Sequence, residues 1–356
     1  MQDTINFKML TLAREARGLT QLDLVETISN LNQGNYSKME KGLLPVPSET
    51  LKNIAHLLGF PLTFFYKKEP VNEPGNHYYR KRASLSRKIQ SMLEAKIKCL
   101  MIWTDALLED IEIPAFKLPE LLVDGENTPS VIARKIRNFL NIPAGPLNNL
   151  VNVIEKSGVI IYFIKEAPDK FDGMTLFTNS GQPIIFINET LSNDRKRFTI
   201  AHEYGHLTMH LRANLWDSPD KELEEQANEF AGEFLIPYLD SRADLNGLRF
   251  RDLGTLKQFW KVSKAALMYL AHKRSFIDQG KYHNMLIEMS KIGERKKESL
   301  DVDIDYPTIL KKMANAYLND LDYTLPEIEM TVGISKADFD HLLRQQPVST
   351  KLKLVI

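Results

Sequence analysis

Along most of this chain apolar residues recur three and four positions apart, the period of helices packed on one face. Residues 7–17 are amphipathic and stop at Gly18, a helix C-cap signal. A second helix restarts with Thr20 as N-cap and runs to about Ser29. After a short turn, 33–41 forms a third helix ending at Gly42, and Pro47-Ser48 opens a fourth that closes at Gly59. Short helices with a tight turn between the second and third read as a helix-turn-helix.

The pattern lengthens after a Pro- and Gly-containing linker at 67–88. A helix is expected over about 84–110, and its Leu93, Ile97, Leu100, Met101, Trp103 and Leu107 suggest either packing or dimerisation. Thr128-Pro129 caps and opens a helix to about Asn141, and 148–157 reads as one more. Only then does the period change. Residues 158–164, 174–178 and 184–187 are β-rich runs, the last two joined by the turn signal Asn179-Ser180-Gly181, and Asp172-Gly173 reads as a turn. Helical pattern resumes near Ser192 and holds over 223–234, 256–267, 309–318 and 325–343, the last faintly echoing a second helix-turn-helix. The expected fold class is mostly α with a small β-sheet (α+β).

Composition narrows the function classes. At 356 residues, 43% of them hydrophobic, two or three packed domains are expected. Forty-six basic residues balance 46 acidic ones, so no global field advertises a polyanionic partner. The single cysteine, Cys99, excludes a disulfide framework and a cysteine-based metal site. With no apolar run of membrane-spanning length and no apolar leader, a cytoplasmic protein without membrane contact is expected.

The candidate chemistry lies in His202-Glu203-Tyr204-Gly205-His206. On a helix, residues four apart share a face, so both histidines can address one ion. Two imidazoles suit zinc and leave positions for a third ligand and a water. Glu203 is rotated away from the pair; it can lie beside that water and take its proton. Phe198, Ala201, Gly205 and Met209 on the histidine side half-bury the site, and Gly205, costly inside a helix, implies a close neighbour. Tyr204 faces elsewhere. His210 continues the four-residue row, but the row drifts around the helix, so it reads as a cleft-edge histidine.

A third ligand is expected from 223–234, whose inner face is Leu223, Ala227, Phe230, Ala231 and Phe234. Glu224 borders that face one turn before Asn228 and is favoured over the other acids. Asn228 can hold a ligand histidine from behind. Glu222, Glu225, Glu229 and Glu233 read as a mostly solvated face.

Arg195–His206, followed by Glu224-x-x-Ala227-Asn228-x-Phe230-Ala231 and Leu235-Ile236-Pro237, resembles the ImmA/IrrE family of bacterial metallopeptidases over roughly 130–270. The resemblance implies a zincin-type, gluzincin-like fold with Zn2+ on His202, His206 and Glu224, Glu203 as base, and cleavage of a repressor-type protein. Gly18-Leu19-Thr20-Gln21, Ser37–Gly42 and Thr50–Ala55 resemble the XRE (Cro/C1-type) repressor domain. That likeness places Gln33, Gly34, Asn35 and Ser37 at the exposed start of a recognition helix over operator DNA, with Gln21 suited to a phosphate. It also makes a homodimer plausible. Six Lys/Arg against six Asp/Glu over 1–66 is a weak balance for phosphate binding. The run Arg80-Lys81-Arg82, after Tyr78-Tyr79, could supply what is missing.

The expected layout is a helix-turn-helix domain at 1–68, a basic linker and helical connector at 69–127, a metallopeptidase domain at 128–270 and a C-terminal helical module at 271–356. The expected function is a DNA-binding regulator with zinc-dependent endopeptidase activity on a repressor- or antitoxin-like protein under stress. The alternative is a non-enzymatic transcription factor or antitoxin whose metal site is a sensor or relic.

Overall fold

Helix caps and glycines written into the sequence set most element boundaries. The computed structural model describes residues 4–68, 86–119, 121–165, 167–210 and 220–343. The basic run at 80–82 and its two tyrosines lie outside the described residues. The described residues are mostly helical, with one three-stranded sheet among them. Two compact units emerge: residues up to Pro114 with Leu176–Ile184 and those from Pro307 onward, and Ala115–Thr175 with Ile185–Tyr306.

The first unit holds α1 (Lys8–Ala16), α2 (Gln21–Thr27), α3 (Gln33–Glu40), α4 (Ser48–Leu58) and α5 (Arg87–Leu108). Thr20 and Asp23 form a reciprocal capping box that starts α2, and the Asn32 side chain caps α3 by accepting from Asn35 N. The apolar face of α5 is consumed inside the unit. Leu93, Ile97, Leu100, Met101, Trp103 and Leu107 are all buried, and α5 packs on α1. Of the two roles read for that face, packing is the one it performs.

Three C-terminal helices, α14 (Ile309–Asn319), α15 (Leu325–Val332) and α16 (Lys336–Leu343), belong to this same unit. Their contacts reach far back along the chain. Arg17 places its guanidinium on Asp338 (2.8 Å) and on the Leu58 and Gly59 carbonyls. Trp103 Nε1 donates to Gly333 O at 3.0 Å, Thr63 Oγ1 to Glu329 O and Lys67 Nζ to Thr331 O.

In the second unit, α6 (Pro129–Phe139) and α7 (Leu150–Lys156) precede β1 (Ile160–Ile164). The sheet adds β2 (Gly173–Phe177) and β3 (Pro183–Asn188) in the order β1-β3-β2, so β3 is central and fully buried. Next come α8 (Asn193–Met209), α9 (Asp220–Leu235) and α10 (Tyr238–Leu245). The helical pattern over 256–267 is carried by two helices, α11 (Leu253–Trp260) and α12 (Lys264–Lys273), followed by α13 (Gln279–Lys291). The break falls at Lys261, a non-glycine residue at φ 54°, after which Ser263 caps α12. Such a conformation persists where surrounding contacts determine it, and here Lys261 O accepts from Arg197 Nε at 3.0 Å.

Among the described residues no helix is long and apolar enough to cross a membrane.

Candidate metal centre

Two helices of the second unit build the site. α8 is buried on nearly every side, which explains its lack of a clean amphipathic stripe. Arg197, fully buried on α8, anchors it by donating to the carbonyls of Leu147, Asn148 and Lys261. Burial pushes this guanidinium down to about 10, still charged at neutral pH. Nothing in the sequence marks Arg197 as more than a polar surface residue.

α9 packs closely against α8 at Gly205. A Cβ there would lie 2.9 Å from Phe230 Cδ1 and 3.3 Å from its Cβ. The neighbour inferred from this glycine is therefore Phe230, on the inner face of α9. Gly205→Ala gains up to about 1 kcal/mol of helix propensity but overpacks the contact at a cost of about 1–3 kcal/mol. A net loss of about 1 kcal/mol is expected, read as a lower midpoint in urea denaturation.

This packing brings His202, His206 and Glu224 together, with all three ligand atoms within 4.8 Å of one another. His202 Nε2 and His206 Nε2 are 3.1 Å apart, and the Glu224 carboxylate oxygens lie 3.5 and 3.3 Å from them. A tetrahedral zinc with bonds of about 2.0–2.2 Å would separate its ligand atoms by roughly 3.3–3.6 Å. The chemistry of the donors fits as well. Asn228 Oδ1 lies 3.0 Å from His202 Nδ1 and, being an acceptor, takes that proton and leaves Nε2 as a lone pair. Burial is the largest influence on His206 and holds its pKa below the ordinary imidazole value, against the raising effect of the neighbouring Glu224 carboxylate. A neutral imidazole can ligate. Two imidazole nitrogens and a carboxylate converging at this range need a bound cation or a shared proton between them.

Glu203 is buried, and Thr175 Oγ1 donates to its Oε2 at 3.0 Å. Thr175 carries no sequence signal. It reaches Glu203 because β2 runs close to α8 at Gly173, where a Cβ would sit 2.8 Å from Thr199 Cγ2 and 2.9 Å from Phe186 O. Asp172-Gly173, read as a turn, is thus the approach and first residue of β2, and Asp172 pairs with Arg195 at 2.7 Å.

Two other readings change. His210 is buried rather than at a cleft edge: its Nδ1 lies 2.9 Å from His206 Nδ1, and its Nε2 lies 2.9 Å from Gln226 Oε1. Drift around a continuing helix would carry His210 to the cleft edge, but α8 ends at Met209 and His210 takes φ −118°. Glu233 is not solvated; it is buried against Arg274 (2.8 Å) and Arg134 (3.0 Å). Tyr204 does face away, its hydroxyl donating to Ser157 Oγ at 3.0 Å.

In the first unit, Gln33, Gly34 and Asn35 are exposed on the opening turn of α3 and Ser37 is half-buried. Gln21 commits one amide hydrogen internally, donating to Glu40 Oε2 at 2.6 Å beside Arg14.

Residues 155–271 match the family model of the IrrE N-terminal-like domain, peptidase family M78. No curated protein matches. Among solved structures, a transcriptional regulator of Mycobacterium tuberculosis aligns at 17% identity with a TM-score of 0.32, over 40% of this chain and 46% of that one. The chain therefore spans less than half the length of that protein.

Proposed function

We propose that the chain is a DNA-binding transcriptional regulator with a zinc-dependent endopeptidase, which cleaves a repressor- or antitoxin-like protein in response to stress. The observation that carries this reading is the convergence of His202, His206 and Glu224 beside a buried Glu203, inside a segment matching a peptidase family. The three ligands would hold Zn2+, which supplies a Lewis acid for polarising a scissile carbonyl. Glu203 takes the proton of the attacking water and passes it to the leaving amine. Thr175 fixes the rotation of that carboxylate by occupying one oxygen. Asn228 holds the His202 ring from behind.

The catalytic role falls to 128–270 and the operator-binding role to 1–68, with Gln33, Gly34, Asn35 and Ser37 towards base edges and Gln21 towards phosphate. The test is a comparison of protein N-termini in cells making the wild-type chain or its Glu203→Gln variant, with and without oxidative or DNA-damaging stress. New N-termini in a repressor- or antitoxin-like protein, confined to the wild type, support the reading. Identical sets of N-termini, with transcription still responding to stress, favour the non-enzymatic regulator instead.

The DNA role has its own test. Bidentate side-chain contacts to bases are worth about 1–3 kcal/mol each. The double variant Gln33→Ala/Asn35→Ala is expected to lose its promoter footprint while still cutting a free substrate. A wild-type footprint from the double variant would remove the recognition role from α3.

A further inference from the structure

Behind His206 runs a hydrogen-bonded chain of three more residues. His206 Nδ1 and His210 Nδ1 are 2.9 Å apart, His210 Nε2 and Gln226 Oε1 are 2.9 Å apart, and Gln226 Nε2 donates to Glu222 Oε1 at 3.1 Å. Each link constrains the next. The Gln226 NH2 donates to the Glu222 carboxylate, so the amide nitrogen faces that side. That leaves the Gln226 oxygen facing His210, which must then carry its proton on Nε2. A neutral His210 protonated on Nε2 has a lone pair on Nδ1. The facing Nδ1 of His206 must therefore be the donor, and the Nε2 of His206 is left bare. That is the nitrogen 3.3 Å from Glu224 and 3.1 Å from His202 Nε2.

Reversing the chain fails at its far end. It would turn the Gln226 oxygen onto the Glu222 carboxylate, acceptor against acceptor at 3.1 Å. The reversed order would also put a proton on His206 Nε2, the atom that has to ligate.

We propose that His210 and Gln226 are positioning residues: with Glu222 they set the tautomer and ring orientation of His206, and so the metal affinity of the site. The inference rests on the zinc reading above. It adds that α9 acts on the site twice, through the Glu224 ligand directly and through Gln226 by way of His210. The ring that looks like a surplus histidine is what presents His206 correctly.

Two measurements on the full-length protein test it. The first is zinc affinity, by competition with a chromophoric chelator. Partners behind a ligand histidine typically account for about 10–100-fold in metal affinity. His210→Leu is expected to lose that much, and His210→Asn, whose amide oxygen can stand where Nδ1 stood, to regain most of it. Gln226→Leu, changed at a half-buried position with no direct link to the ligands, is expected to weaken zinc binding in the same direction by a smaller factor. Equal affinity across wild type, His210→Leu and Gln226→Leu overturns the proposal.

The second is the 15N spectrum of histidine-labelled, metal-free protein, which separates protonated from bare ring nitrogens. The wild type is expected to show His206 protonated on Nδ1, and Gln226→Leu to show this preference reduced. A wild type with His206 protonated on Nε2 overturns the proposal, even if His210→Leu loses zinc through misfolding. Should the wild type bind no zinc at all, the metal reading falls, and the spectrum of the metal-free chain still decides for or against the hydrogen-bonded order.

Discussion

Glu203→Gln is expected to lower proteolysis by roughly 10²–10⁴-fold, the usual worth of a positioned general base, while leaving the chain folded, zinc-loaded and DNA-binding. Glutamine has nearly the size of glutamate, and its amide oxygen can still accept from Thr175 Oγ1, which now lies 3.0 Å from the carboxylate. It cannot take a proton from water. The ligands on the neighbouring faces of α8 and α9 are untouched, so elemental analysis should return the wild-type zinc content. Activity is measured on whichever protein the N-terminal comparison identifies. The variant should fail both to cut that protein and to relieve repression. If Glu203→Gln derepresses like the wild type under the same stress, proteolysis is not the output of this molecule.

The second large effect concerns the third ligand. Glu224→Ala removes one of the three proposed ligands and is expected to weaken zinc binding more than the roughly 10–100-fold typical of groups behind a ligand. The control is its neighbour. Glu225 is exposed and, among the described residues, pairs with Lys221 at 3.8 Å, one turn earlier on the same helix. Surface pairs of that kind contribute about 0–1 kcal/mol, so Glu225→Ala should keep full zinc content. Elemental analysis of both variants after equal dialysis distinguishes them, and equal zinc in the two would remove Glu224 from the site.

The two helices of the candidate site are legible because helix geometry is rigid. Spacing alone puts His202 and His206 on one face, and the apolar stripe of 223–234 leaves Glu224 at its border, where the two rings meet it. Gly205 announces its tight packing through its helix cost, and Phe230 supplies the contact. What escapes is whatever depends on tertiary approach. Thr175 lies 28 residues from Glu203 and meets it only because β2 passes over α8. Arg197 looks like any polar helix residue until three carbonyls from distant loops turn out to surround it. Glu233 belongs to an acidic helix face in sequence, and Arg134 and Arg274 bury it. His210 departs from its helical expectation for a local reason: the helix ends one residue before it. The grouping of 309–343 with the first helices has no local signature at all, since periodicity tells which face is buried but not against what.

That grouping sets a timetable. The first unit is written mostly on either side of the second, and Arg17, Thr63, Lys67 and Trp103 each have a partner among Asp338, Glu329, Thr331 and Gly333. A ribosome adding about 5–20 residues per second needs roughly 10–40 s for the intervening stretch of about 190 residues. In that interval the whole chain of the second unit, from Ala115 to Tyr306, is made. The unit that starts first finishes last. Every newborn copy thus passes through an interval in which the chain of the second unit is made and the helices from Ile309 onward have yet to join the first ones.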